Sequence, residues 1–223
     1  MRRARIARSL STLVAAGVLA ALTTSPVLAA TASGWSVGSY TASGQTLSNA
    51  SADALPSGVA TFDFTSAPNT ALLDTTNGAF KGTLLGDDRN KTITATFHIT
   101  GATGAFTYFG EGTSSNPCGT PANVRLFFQT SNAGGFDYTH YWWSDSAFAL
   151  LDDGSFTLTA NVSPLAWSDW NGQQAEANAD AFNAAASNVT LIGFSFGGGC
   201  FFENGVGTTD GSGTFDLDSF NVS

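Results

Sequence analysis

The chain has 223 residues, of which 43% are hydrophobic and only 11% are charged. All 17 acidic residues follow Ala30, whereas four of the eight basic residues precede it, so the chain after Ala30 carries four positive charges against 17 negative ones, a formal net charge of −13. Such a charge repels phosphate backbones and anionic membrane surfaces, and nucleic acid is therefore excluded as an expected partner.

The first 30 residues are predicted to be a secretory signal peptide. Four arginines among the first eight residues precede an apolar core at residues 10–22, and residues 26–30 supply the small side chains that signal peptidase requires. The apolar core is shorter than the roughly 20 residues of a membrane span, and no later stretch reaches that length. We therefore expect a secreted, extracellular protein with no membrane span.

About 193 residues follow this segment, which is enough for one domain with a sizeable core. Residues 31–57 are rich in Ser, Ala, Thr and Gly, and they form either a first hairpin or a flexible lead-in. Short segments with strand-like alternation then predict strands at residues 58–64, 79–85, 92–100 and 105–109. Regularly spaced short strands are typical of a sandwich or barrel, so residues 58–223 are predicted to form one all-β domain.

Two cysteines occur in the whole chain, Cys118 and Cys200. An even number of cysteines in an exported protein favours a disulfide, with two separate free thiols as the alternative. The bond would join the polar loop at residues 111–121 to the turn that follows residue 199.

The densest aromatic run lies in a predicted hairpin at residues 123–144. Alternation along its first strand places Arg125 and Gln129 on a solvated face, because unpaired arginine is seldom buried. The same polarity argument turns three residues of the second strand outward, Tyr138, His140 and Trp142. Tyr141 and Trp143 then face the core.

This solvated face is a candidate carbohydrate-binding surface. The apolar face of a sugar ring stacks on aromatic rings, while amide and guanidinium groups bind its hydroxyls. The alternative is that these rings fill the core, as buried aromatic side chains usually do.

After the hairpin, strands are predicted at residues 147–151 and 155–162, and a loop at residues 164–172 carries Trp167 and Trp170. We assign Trp167 to packing, whereas Trp170 could add a second surface for stacking on a sugar. Residues 175–186 favour the one helix of the domain. The apolar segment 189–196 predicts a central strand, and residues 213–222 predict the closing strand.

Two features of the sequence suggest enzymatic alternatives. Residues 193–197, GFSFG, match the G-x-S-x-G pattern of a nucleophile elbow, but they lie within an apolar strand that no helix follows, so a plain strand is expected. A glycan-cleaving enzyme would instead use Glu111 and Glu203, which a Cys118–Cys200 disulfide would draw towards each other. Two carboxyl groups cleave glycosidic bonds when they lie about 5–5.5 Å or about 6.5–9.5 Å apart. The alternative is a pair of solvated loop acids.

Several segments resemble galactose-binding-like jelly-roll domains, a fold used by many carbohydrate-binding modules. Residues 61–64, TFDF, are similar to the opening strand of these domains, residues 215–222, FDLDSFNV, to the closing strand, and residues 167–199 to the late part. The chain also resembles uncharacterised secreted bacterial proteins that carry the sequences HYWWS and GGGCFFENGVG.

The resemblance implies a jelly-roll β-sandwich with one short helix that binds a glycan without cleaving it. It also implies a structural calcium ion between the first and last strands, held by Asp63 and Asp218. Thr65 stands where those domains usually carry a glutamate ligand. A structural extracellular protein without a specific ligand is the remaining alternative.

Overall fold

Thirteen strands form one sheet in a computed structural model that describes residues 32–41 and 46–223. The first six strands are β1 (Ala32–Tyr40), β2 (Leu47–Asp53), β3 (Ala60–Asp63), β4 (Thr70–Thr75), β5 (Thr92–Thr100) and β6 (Phe106–Tyr108). The others are β7 (Asn123–Thr130), β8 (Tyr141–Leu150), β9 (Gly154–Asn161), β10 (Trp167–Asp169), β11 (Val189–Gly197), β12 (Val206–Thr208) and β13 (Thr214–Val222). The predicted signal peptide at residues 1–30 lies outside the described residues.

The strands follow the order β10-β8-β7-β11-β4-β1-β2-β3-β13-β5-β9, and β12 pairs with β4 and β6. The sheet curls so that its two halves face each other across one core. Phe194 of β11 contacts Phe97 of β5, with ring centroids 5.5 Å apart, and Phe196 contacts Phe62 of β3 at 5.8 Å. The predicted all-β sandwich is therefore confirmed. Its α-helix, α1 (Ala179–Ala186), is short and is the one α-helix in the described chain.

Alternation explains why the best-predicted strands form where they do. In β5 every second side chain is buried, from Ile93 to Ile99, while the side chains between them are partly exposed. In β13 a register shift between Leu217 and Ser219 places Phe220 in the core. These strands match the predicted segments 92–100 and 213–222 to within one residue.

The N-terminal half differs from the prediction in two places. Residues 79–85 are not a strand but begin with a short 3-10 turn, Gly78–Phe80, in which Asn77 Oδ1 accepts a hydrogen bond of 3.0 Å from the Ala79 amide. The strand β4, which lies between β11 and β1, is not predicted by the sequence. All of its residues are buried, because both faces of the sheet are covered there, and a strand covered on both faces shows no alternation.

Residues 32–40 and 47–53 belong to the sheet. β1 pairs with β2 as a hairpin and with β4 on its other side, and the side chain of Trp35 is buried in the core. The first two strands of the described chain are therefore part of the sandwich.

The G-x-S-x-G segment lies inside β11. Ser195 is completely buried, and a Cβ atom at Gly193 would lie 2.1 Å from the carbonyl oxygen of Leu73 on β4. Gly193 therefore permits the close approach of two strands, and Ser195 does not occupy the exposed turn that a nucleophile elbow requires. The described residues also contain no helix that is long and apolar enough to cross a membrane.

The solvent-facing side of β5 and β13 carries a histidine between two carboxylates. His98 Nδ1 lies 3.0 Å from Asp218 Oδ2, and His98 Nε2 lies 3.1 Å from Asp216 Oδ2. The hydrogen bond to Asp218 and the charges of both carboxylates raise the pKa of His98, and partial burial opposes this shift.

We expect an NMR titration to place the pKa of the His98 imidazole above 6.5, its ordinary value, and Asp218→Asn to lower it. The protonated imidazole then stabilises the fold at acidic pH, and this contribution is lost as pH rises through the raised pKa. Asp180→Asn in α1 removes a carboxylate from another element and should leave the titration unchanged. An Asp218→Asn variant with the wild-type titration curve would contradict the assignment.

Candidate ligand-binding cavity

The predicted hairpin is formed by β7 and β8, but the faces of β8 are the reverse of those predicted. Trp142 is completely buried in the main core, where its ring packs against Phe182 at 5.0 Å. Trp143 faces the other side of the sheet and packs against Phe127 at 5.1 Å. The prediction relied on the polarity of Tyr138 and His140, which form a 3-10 turn before β8 and so carry no information about its faces.

Arg125 is also placed differently from its prediction, because it is 7% exposed and not solvated. Its guanidinium lies between the rings of Phe148 and Phe202, at 4.6 and 4.5 Å from their centroids. Nη1 donates hydrogen bonds to the carbonyl oxygens of Ser144, at 2.8 Å, and Asp145, at 3.0 Å. Carbonyl groups and aromatic faces therefore compensate the buried charge, and the guanidinium packs against the ring of Phe202.

A cavity of about 940 Å³ lies on this second face of the sheet. Trp143 forms part of its floor. Trp143 belongs to a small apolar cluster that also contains Phe127 and Leu72. Six aromatic side chains line it, Tyr40, Phe109, Trp143, Trp170, Phe201 and Phe202. Four amide side chains line it as well, Asn69, Asn116, Asn171 and Asn204. The cavity is thus mainly apolar with a few polar groups, as is typical of small-molecule sites.

The Cys118–Cys200 disulfide forms as predicted and holds two walls of the cavity together. Asn116 reinforces the junction, because its Oδ1 accepts a hydrogen bond of 2.7 Å from the Cys200 amide and its Nδ2 donates one of 3.4 Å to the Gly198 carbonyl. The Gly199 amide also donates to the Thr120 carbonyl at 2.7 Å. The segment after Cys200, with Phe201 and Phe202, is therefore fixed to the loop that carries Phe109.

Glu203 is the one acidic residue that lines the cavity, as far as its described lining extends. Tyr40 Oη donates a hydrogen bond of 3.3 Å to Glu203 Oε1, while Oε2 is buried and has no hydrogen-bond partner among the described residues. Burial raises the pKa of Glu203 to about 8; the hydrogen bond from Tyr40 opposes this shift, and the charge of Asp74 adds to it. Burial also raises the pKa of Asp74 to about 7.

The electrostatic consequence is a nearly neutral cavity at pH 7. Glu203 is mostly protonated at this pH, since its pKa lies above 7. The lining residues in the described part of the chain include no lysine, arginine or histidine. A ligand that fits this surface needs apolar faces and hydroxyl or amide groups and no compensating charge.

Trp170 is the one predicted sugar-binding residue that lines the cavity, where its side chain is 45% exposed. Tyr138 lies outside the lining and is 47% exposed, and His140 Nδ1 is 2.7 Å from Asn132 Oδ1. Gln129 is half-buried at the end of β7, opposite Tyr141 of β8. Of the six residues predicted to form the sugar-binding surface, Trp170 is therefore the one that belongs to the cavity.

The predicted pair of catalytic carboxylates is not assembled in this cavity. Glu203 lines it, but Glu111 is exposed and does not, although its neighbour Gly110 does. The rings of Phe109, Phe201 and Phe202, which also line the cavity, are not among the predicted site residues. One signal could have identified two of them, namely two consecutive phenylalanines directly after a disulfide cysteine, in a segment without strand alternation.

The predicted calcium ligands are not brought together either. Asp63 lies opposite Thr214 and accepts a hydrogen bond of 2.7 Å from its Oγ1. Asp218 lies four residues further along β13, about 13 Å away at about 3.3 Å per residue, and contacts His98 instead. No group of three or more His, Cys, Asp or Glu side chains that could hold a metal ion occurs in residues 32–41 and 46–223.

Comparison of the chain with protein-family models, with curated proteins and with solved structures finds no match. A functional assignment therefore depends on the geometry and chemistry of the cavity itself.

Proposed function

We propose that this protein is a secreted, non-catalytic carbohydrate-binding protein that holds a neutral glycan in the cavity above Trp143. The observation that carries the proposal is the combination of six aromatic rings and four amide side chains around one nearly neutral cavity. Rings stack on the apolar faces of sugars, and amides both donate to and accept from hydroxyl groups.

Two further observations support this proposal. The Cys118–Cys200 disulfide is compatible with an extracellular location, since disulfides persist in oxidising compartments. The negative charge of the chain after Ala30 disfavours nucleic acid and other polyanions as ligands. The resemblance to jelly-roll carbohydrate-binding modules points in the same direction.

Titration of the protein against an array of neutral polysaccharides tests the proposal. We expect binding that Trp170→Ala weakens roughly two- to tenfold, because one stacking ring contributes about 0.5–1.5 kcal/mol. Leu165→Ala is the matched control, since Leu165 is 74% exposed and does not line the cavity. A stably folded wild-type protein that binds none of the glycans would contradict the proposal.

Glycan cleavage is a second candidate function, and Glu203 is the observation that favours it. A carboxyl group that stays protonated at neutral pH can act as a general acid towards a glycosidic oxygen. Asp74 influences the charge of Glu203 but is buried and does not line the cavity, so Glu203 is the candidate general acid by itself. Release of reducing sugar or of unsaturated product that Glu203→Gln abolishes would establish this activity, and its absence across the array would leave binding alone.

A further inference from the structure

A row of aromatic rings leads out of the cavity onto the surface. Trp170, which lines the cavity, contacts Trp143 on the floor, with ring centroids 5.7 Å apart. On its outer side Trp170 contacts Phe136 at 5.5 Å, and Phe136 contacts Tyr138 at 5.3 Å. The rings of Trp143, Trp170, Phe136 and Tyr138 therefore form one continuous path, which we call the aromatic row.

The outer part of the aromatic row is exposed to solvent although its rings are large and mostly apolar. Phe136 is 58% exposed, Tyr138 47% and Trp170 45%. Contiguous exposed apolar surface of this kind marks interaction sites in soluble proteins.

Backbone contacts fix these rings in place. Asp137 caps the 3-10 turn that carries Tyr138, because its Oδ1 accepts a hydrogen bond of 2.8 Å from the Thr139 amide. The Trp170 amide donates to the Tyr138 carbonyl at 3.4 Å, which joins the two segments. Asp169 Oδ1 accepts from the amide of Asn171 at 2.9 Å and from that of Gln173 at 3.0 Å, which fixes the turn after Trp170. A surface held in this way loses little conformational entropy on binding.

We propose that Phe136 and Tyr138 bind further sugar units of a neutral glycan chain whose end or middle lies in the cavity. This inference rests on the proposed carbohydrate-binding function and adds that the ligand is a polymer. The continuity of the row through Trp170 places the added units next to those in the cavity. Asp137 lies between these two residues in the sequence, and the chain is strongly acidic, so an uncharged polymer fits the surface better than an anionic one.

The test is calorimetric titration with cello-, xylo-, manno- and chito-oligosaccharides, each from disaccharide to hexasaccharide. For the series that binds, affinity is expected to rise with chain length in the wild-type protein. The double variant Phe136→Ala/Tyr138→Ala should bind the disaccharide as the wild type does and the hexasaccharide roughly two- to tenfold more weakly for each ring that is lost. Leu165→Ala, at an exposed apolar position outside the row, should bind both as the wild type does.

The outcomes separate this inference from the proposed function. Binding that does not change with chain length, or that the double variant leaves intact, overturns the polymer inference while carbohydrate binding stands. No binding in any series, with a folded protein, overturns both. Sedimentation velocity provides a further check, because a concentration-dependent dimer that the double variant abolishes would assign the exposed rings to self-association and overturn the inference.

Discussion

Glu203→Gln is expected to stabilise the protein at neutral pH and to flatten its dependence of stability on pH. The unfolded chain releases the proton of Glu203 near its ordinary pKa of 4.5, whereas the folded protein keeps it until about pH 8. Between these values the folded state binds more protons than the unfolded state, so the free energy of unfolding falls by about 1.4 kcal/mol for each pH unit. At pH 7 the free energy of unfolding is therefore roughly 3 kcal/mol lower than at acidic pH, and a glutamine, which does not ionise, avoids this loss.

Asp74 also lowers the free energy of unfolding as pH rises, because its pKa is raised from 3.8 to about 7 in the folded protein. The wild-type protein should therefore be most stable at acidic pH and lose stability up to about pH 8, where Glu203 ionises. Glutamine also keeps an oxygen that can accept the hydrogen bond from Tyr40, so its packing in the cavity is conserved.

Urea unfolding of the wild type and of Glu203→Gln at pH 4, 7 and 8 measures this effect. The two proteins should have similar unfolding free energies at pH 4, and the variant should be the more stable at pH 7 and 8. Glu111→Gln makes the same chemical change at an exposed position and should follow the wild-type curve. Parallel curves for the wild type and Glu203→Gln would show that Glu203 titrates normally in the folded protein.

Loss of the Cys118–Cys200 disulfide is expected to have the other large effect. The bond joins residues 82 positions apart. Closing a loop of that length stabilises a fold by about 4–5 kcal/mol when the unfolded chain is treated as a flexible coil. Reduction, or the double variant Cys118→Ser/Cys200→Ser, should lower the free energy of unfolding by an amount of this order.

Denaturant unfolding with and without a thiol reductant measures this change. The double serine variant is the control, since the reductant should not alter its midpoint. Binding should weaken as well, because the covalent link between the cavity walls that carry Phe109 and Phe201 is then lost. The hydrogen bonds of Asn116 and Asn204 and the pairing of β6 with β12 remain between these walls. An unfolding midpoint that reduction does not change would contradict the stabilising role.

The all-β class, several strands and the disulfide are predictable from the sequence. β5, β11 and β13 are predicted within one residue, because their alternating or apolar patterns are local properties of consecutive residues. The pairing of Cys118 with Cys200 follows from there being two cysteines in a chain that the sequence predicts to be exported. The short α1 also follows from local preference for helix, although the first four residues of the predicted segment 175–186, Ala175–Asn178, form a 3-10 helix that precedes α1.

The tertiary structure alone decided which faces are buried and where the cavity lies. Alternation separates the two faces of a strand but does not say which of them faces the main core when both are covered. For this reason the sequence predicts Trp143 in the core and Trp142 outside it, whereas the structure has the reverse arrangement. Arg125 was predicted in solvent because its compensating partners, Phe148 and Phe202, lie far from it in sequence. The cavity likewise combines side chains from Tyr40 to Asn204, and only folding brings such distant segments together.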